Sequence, residues 1–387
     1  MLRVEFVIPN LNIIMIPITR LSVGEEEAKA AAEAVMSGWL TVGKRGERFE
    51  QAIAQYVGAE HAVTVNSCTT ALHLALLAAG VKQGDEVICP SYSFIASANA
   101  ILYAGATPKF VDIDPRTYNI DPARIEAAIS DKTSAIVPVS QIGLGADIPT
   151  VLEIAKRHNL KVVEDAAPSM GATVAGKFIG ALSDLTCFSF DARKILTTGE
   201  GGVVTTNDAA AAARLRKLRA HAASTSTADR HKSDQVRFEE YPELGYNYKM
   251  TDIQAAIGLV QIGRIQEIVN ERRRLGQRYN NLLADVKGIA TPYEPPGYRH
   301  VYQSYSVRLT NGKAQLAVMN EMAQKGVSTR RIMAIHREPF YKTMYPSLKL
   351  PVTEEITDTT MLLPMFVGLT DAEQDEVVRV LKTAVRN

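Results

Sequence analysis

From about residue 60 onward, short apolar runs rich in β-branched residues alternate with helical patterns. AVTVN precedes TTALHLALLAAG, EVICP precedes FIASANAILYAG, TPKFVDI precedes PARIEAAI, SAIVPVS precedes PTVLEIAKRH, and LKVVE follows. Strands that read as continuous apolar runs are buried on both faces, so this alternation predicts an α/β fold with a mainly parallel sheet between helices. Local signals agree. Asp121-Pro122 places a cap before a proline at a helix start, Asp147 caps PTVLEIAKRH, and Gly80 supplies a stop. Ser22 with Glu25 and Thr251 with Gln254 read as two capping boxes.

The chain has 387 residues, enough for two or three domains at about 150 residues each. A long helical pattern, TDIQAAIGLVQIGRIQEIVNERRRLGQRYNNLL, exceeds one compact crossover and reads as the link to a smaller C-terminal unit. The division expected is an N-terminal arm over 1–20, a large α/β domain over 21–255 and a small domain over 256–387. The polar stretch HAASTSTADRHKSDQ reads either as a mobile lid or as a plain solvated connection. The apolar stretch near the N-terminus is broken by Pro9, Asn10 and Asn12, which argues against a signal peptide or membrane span.

With 43 Lys and Arg against 42 Asp and Glu, the chain lacks the basic field of a nucleic-acid binder. Cys68, Cys89 and Cys187 are too few and too far apart for a disulfide framework or a Cys-x-x-Cys metal site, so a cytoplasmic setting is expected. The seven histidines show no ligand spacing, so no metal is expected.

In an open α/β sheet, ligands sit beyond the carboxyl ends of the strands. Ser67-Cys68-Thr69-Thr70 follows AVTVN and opens a helix, a place where free N–H groups make a phosphate cup or where small polar residues merely cap. No Gly-x-x-x-x-Gly-Lys-Ser/Thr run supports a nucleotide P-loop. Phe94 follows EVICPSYS, placed either to lie on a planar ring or to pack in the core. Asp165 ends LKVVE, and Lys194 stands before Thr197-Thr198-Gly199-Glu200-Gly201-Gly202. A strand-end carboxylate in an apolar setting needs a cationic partner. A direct Asp165–Lys194 ion pair meets that need; so does a cofactor bridging the two, with Lys194 forming a Schiff base and Asp165 keeping a pyridine nitrogen protonated, as pyridoxal phosphate (PLP) requires.

The runs GWLTVG, NSCTTALHLAL, GDEVICPSYSFIASANAILYAGATPKFVDID, VVEDAAPSMGA, FSFDARKILTTGEGGVVTTND, LGYNYKMTDIQAAIGLVQI and LPMFVGLTDAEQDEVV also carry a resemblance. In order, from about Arg20 to the C-terminus, they resemble the DegT/StrS class of PLP-dependent nucleotide-sugar aminotransferases. The resemblance implies a fold-type I homodimer with shared active sites, a seven-stranded large-domain sheet and an α+β small domain. It implies Lys194 as the Schiff-base lysine, Asp165 as the pyridinium partner, and Phe94 stacked on the ring. It implies phosphate held by the backbone of Cys68 and Thr69, by Ser189, and by Asn247 from the other subunit. His336 in MAIHREP, with Arg331 nearby, is placed on the substrate side.

The implied reaction moves an amino group from L-glutamate through pyridoxamine phosphate (PMP) to a keto group of a nucleotide-linked deoxysugar. Rival readings are a sugar dehydratase, a cyclitol aminotransferase, or a regulatory binding protein without catalysis. Dehydratases of the best-known kind carry His where this chain has Lys194, which favours transamination. Pro168 stands where the class usually has Gln or His against the cofactor's phenolic oxygen, so that contact is expected to be lost or taken over by Ser169. Val139-Ser140-Gln141-Ile142-Gly143 and Lys249 also depart from the common pattern.

Overall fold

The computed structural model describes residues 15–224 and 238–386. The expectations for residues 1–14, and for most of the polar stretch after His221, fall outside the described residues.

Nine strands come first in the chain: β1 (His61–Val65), β2 (Glu86–Pro90), β3 (Thr107–Val111), β4 (Thr133–Ile136), β5 (Lys161–Asp165), β6 (Thr173–Val174), β7 (Lys177–Phe178), β8 (Leu185–Ser189) and β9 (Gly202–Thr206). Seven of them form one sheet in the order β1-β9-β8-β5-β4-β2-β3. Neighbours are parallel except that β9 runs antiparallel to both β1 and β8. β6 and β7 form a small antiparallel hairpin.

The continuous apolar runs are buried on both sides, as the pattern predicts. One face carries Val63, Leu72, Leu76, Ile101, Val163 and Leu215, while the other carries Phe49, Ile53, Ile179, Phe188, Val203 and Ile268. At about 1.5–3 kcal/mol per fully buried large aliphatic or aromatic side chain, these layers dominate the fold energy. They also fix the strand ends that the site uses.

A second antiparallel sheet, β10 (Ile289–Ala290), β11 (Tyr305–Leu309) and β12 (Thr360–Leu363), has its own core with Tyr279, Met322, Phe366 and the final helix Asp371–Arg386. The long helical pattern divides at Arg264 into helices Asp252–Gly263 and Ile265–Leu283. The first packs on helices Glu25–Met36 and Lys44–Val57 and spans residue 255, where the sequence suggests a boundary.

Capping follows the sequence at most positions. Asp147 accepts from Thr150 N–H, and Thr251 with Gln254 makes a complete capping box. Two expectations are corrected. The first helix is capped two residues later than Ser22, by Gly24, whose N–H donates to Glu27 at 2.7 Å. Asp121 does cap Ala123, but PARIEAAI forms only the short 3-10 turns Pro122–Arg124 and Glu126–Ala128.

Candidate active site

Because β1, β2, β4, β5 and β8 run the same way, the segments after them converge on one sheet edge, and antiparallel β9 starts there. A cavity of about 430 Å³ opens at this edge. Cys68, Thr69, Phe94, Asp165, Ser189 and Lys194, singled out from separate stretches of sequence, all lie on its wall, and Arg331 stands at its rim.

Ser67 caps the helix Cys68–Ala78. Its hydroxyl accepts from Thr70 N–H at 3.2 Å and its carbonyl from Ala71 N–H at 3.0 Å. The helix therefore has no internal acceptor for the N–H groups of Cys68 and Thr69, which face an anion position with the positive end of the helix dipole behind them. Gly202 permits the close approach of β9 to this turn, since a Cβ there would sit 2.6 Å from the Ser67 carbonyl and 2.7 Å from Cys68 N.

Asp165 is buried, 5% exposed. Its Oδ2 accepts from Ser97 Oγ at 2.6 Å and its Oδ1 from Ala167 N–H at 3.1 Å. Burial pushes its pKa up, against the pull of the Ser97 hydroxyl, the Ala167 N–H and the Lys194 charge. Burial likewise lowers the Lys194 pKa, against the raising effect of Cys68, Asp165 and Asp191, which favours the neutral, nucleophilic amine. Among the described residues the two form no direct ion pair, although both line one cavity and feel each other's charge. The simple salt bridge allowed by the sequence is thus replaced by a gap between a carboxylate and an amine.

These residues fit a phosphorylated pyridine aldehyde. An amine and a buried carboxylate face one cavity, an aromatic ring, Phe94, is 58% exposed beside them, and unused N–H donors stand at a helix start. Lys194, Asp165, Phe94, Cys68, Thr69 and Ser189 are the residues that would hold it.

Three of the residues singled out do not line the cavity of their own chain. Asn247 is exposed and pairs by its backbone with Ala220, away from the cavity of its own chain. His336 is buried behind the wall rather than on it; its Nδ1 meets Ser91 Oγ at 2.7 Å and its Nε2 meets Glu354 at 3.3 Å. Ser169 does not take over for Pro168. It is fully buried and its hydroxyl donates to the Ser140 carbonyl at 2.6 Å, while Pro168 itself lines the cavity.

Other wall residues escape a motif-based reading. Gln141, whose amide donates to the Tyr92 carbonyl, enters through Ile142, which takes a left-handed backbone with φ of 62°. Gln303 donates to the Arg193 carbonyl at 3.1 Å, beside Lys194. Ile18 and Thr19 come from the N-terminal segment, which is anchored where Ile16 pairs with Val327.

A sequence model of the DegT/DnrJ/EryC1/StrS aminotransferase family matches residues 21–382, and the chain belongs to that family. It is an aminotransferase, and its cofactor is PLP. GDP-perosamine synthase of Caulobacter vibrioides is 42% identical over 90% of this chain and 92% of its own length. DesI, solved in the presence of its TDP-sugar product, is 30% identical with a TM-score of 0.85, over 96% of this chain and 93% of its own. Spr1654 of Streptococcus pneumoniae, solved in PMP and PLP forms, is 26% identical with TM-scores of 0.90 and 0.89, over 96% of this chain and 99% of its own.

Proposed function

We propose that this aminotransferase takes the amino group of L-glutamate and delivers it to a keto carbon of a nucleotide-linked deoxysugar. The observation that carries the reading is the single cavity in which Lys194, Asp165 and the free N–H groups of Cys68 and Thr69 face one another. The nucleotide-sugar names of GDP-perosamine synthase and of the DesI complex support the acceptor class.

When bound, PLP supplies the electron sink that stabilises a carbanion at the substrate carbon. Lys194 Nζ, whose pKa burial lowers, would hold the cofactor's aldehyde group and is the amine that would move a proton at the substrate carbon. Asp165 would face the ring nitrogen and favour its protonated form. Phe94 would cover one ring face, and the Cys68 and Thr69 N–H groups and Ser189 would hold the phosphate. Arg331, paired only loosely with Glu338 at 3.8 Å, meets the anionic part of the acceptor. We assign His336 an indirect share on the substrate side, holding its segment to Ser91.

The working unit in this reading is a homodimer, with Asn247 serving the partner's phosphate site; its position outside its own cavity supports that. Among the described residues no helix is long and apolar enough to cross a membrane. With all three cysteines free, the cytoplasm is the proposed setting.

The test is release of 2-oxoglutarate from L-glutamate with purified protein and a panel of GDP- and TDP-linked 4-keto-6-deoxysugars. Stoichiometric 2-oxoglutarate and aminosugar are expected. Product formed without 2-oxoglutarate would favour a dehydratase instead.

A further inference from the structure

Asp165 is the end of a short line of hydroxyls. Ser97 is 1% exposed and sits in the first turn of the helix Ala96–Tyr103, with its Oγ 2.6 Å from Asp165 Oδ2. Ser93 is 2% exposed, lies four residues earlier on the loop after β2, lines the cavity, and has its Oγ 2.8 Å from Ser97 Oγ. A hydroxyl has one proton to give. An ionised carboxylate only accepts, so the Ser97 proton goes to Asp165. Ser93 must therefore give its own proton to Ser97. The direction of the chain is fixed by the charge at its end, and each hydroxyl dipole strengthens the next.

We infer that Ser97, backed by Ser93, is a positioning residue for the transamination: the pair fixes the rotamer of Asp165 and holds it ionised so that the cofactor's ring nitrogen carries the proton. Ser97 occupies Oδ2 and the Ala167 N–H occupies Oδ1 from another direction. The carboxylate cannot turn without breaking one of them, and its free lone pairs are left for a cation on the cavity side. Burial alone works toward a neutral Asp165, and the Ser97 hydroxyl is the strongest influence opposing it. A neutral carboxyl would leave the ring nitrogen unprotonated and weaken the electron sink. Cys68 and Cys187 are the other titratable groups near Asp165 besides Lys194 and Glu164; burial keeps both cysteines as neutral thiols, so neither replaces Ser97.

The inference rests on the proposed contact of Asp165 with the ring nitrogen, and the experiment separates the two. Holoenzyme is reconstituted with PLP carrying ¹⁵N in the ring, and the nitrogen resonance is read for the parent protein, Asp165→Asn, Ser97→Ala, Ser97→Thr and Ser93→Ala. In Ser97→Ala the ratio of ring-protonated to ring-neutral form is expected to fall about tenfold, as for one lost hydrogen bond to a charged group. The rate at saturating L-glutamate falls by about the same factor while the half-saturating concentration changes less than about twofold. Ser97→Thr restores both readings, and Ser93→Ala moves the resonance the same way by less.

A resonance that stays at the protonated position in folded, PLP-loaded Ser97→Ala, while Asp165→Asn shifts it, overturns the relay and leaves the Asp165 contact standing. No shift in Asp165→Asn overturns the contact itself. If Ser97→Ala does not fold, an unshifted resonance in Ser93→Ala overturns the relay.

Discussion

Glu164 and Asp165 are consecutive on β5, and their side chains leave opposite faces of the sheet. Asp165 lines the cavity, whereas Glu164, fully buried, accepts from Ser140 at 2.6 Å, Ser183 at 3.1 Å and Thr186 at 3.4 Å. Three neutral hydroxyls do not repay the removal of a carboxylate from water. Burial accordingly raises the Glu164 pKa to about 7, in spite of those hydroxyls.

That raised pKa predicts a specific pH dependence. The unfolded chain releases the Glu164 proton near its ordinary value, while the folded protein keeps it until about pH 7. Stability therefore falls as pH rises through that window and levels off above it, by about 3 kcal/mol at most. In Glu164→Gln this contribution disappears. Urea unfolding at both ends of the window should show the variant gaining on the parent protein as pH rises; a constant difference would contradict the assignment.

His300 works in the opposite direction. Its ring stacks on Tyr302 at 4.1 Å, its Nδ1 accepts from Tyr302 N–H at 2.8 Å, and burial, helped by the Arg273 charge, lowers its pKa to about 3. The folded protein keeps this ring neutral while the unfolded chain protonates it below its ordinary value of 6.5. Stability is lost as pH falls from there toward 3. The imidazole proton resonances of His300 should show no titration down to the onset of acid unfolding.

Gly202→Ala should damage the phosphate cup without touching a side chain that binds. The new Cβ would meet the backbone of Ser67 and Cys68 at 2.6–2.7 Å, atoms that belong to a capped helix start and cannot yield as a flexible side chain would. A loss of about 1–3 kcal/mol in stability is expected from such overpacking, together with PLP affinity weakened at least tenfold. Equilibrium dialysis of PLP against the folded variant measures this.

Arg272 is buried, forms no ion pair among the described residues, and donates to the carbonyls of Tyr302 and Gln303 at 3.1 and 3.0 Å, with Met365 at 3.4 Å. Gln303 and Met365 line the cavity. Arg272→Ala leaves those carbonyls unpaired, so a loss of about 2–4 kcal/mol is expected. In thermal unfolding and steady-state assays the variant should unfold earlier and show a raised KM for the acceptor.

Much of this is legible in the chain because it depends on neighbours in sequence. The runs AVTVN, EVICP and LKVVE read as buried strands since both their faces are covered, and parallel strands put Ser67, Phe94 and Asp165 at one edge. Thr251 caps through Gln254 three residues on, which a sequence displays directly. Ile18, Thr19, Gln303 and Met365 reach the cavity through pairings across hundreds of residues, such as Ile16 with Val327, and periodicity carries no trace of those. His336 looked like a substrate residue by motif alone; that Ser91 claims its ring nitrogen is a fact of tertiary packing.

The most direct test of the central claim is the visible absorbance of purified protein with PLP, before and after excess L-glutamate, beside Lys194→Ala. The account predicts a band that depends on Lys194, that glutamate bleaches with release of 2-oxoglutarate, and that Lys194→Ala lacks while keeping its fold. An identical, glutamate-responsive band in Lys194→Ala would contradict it.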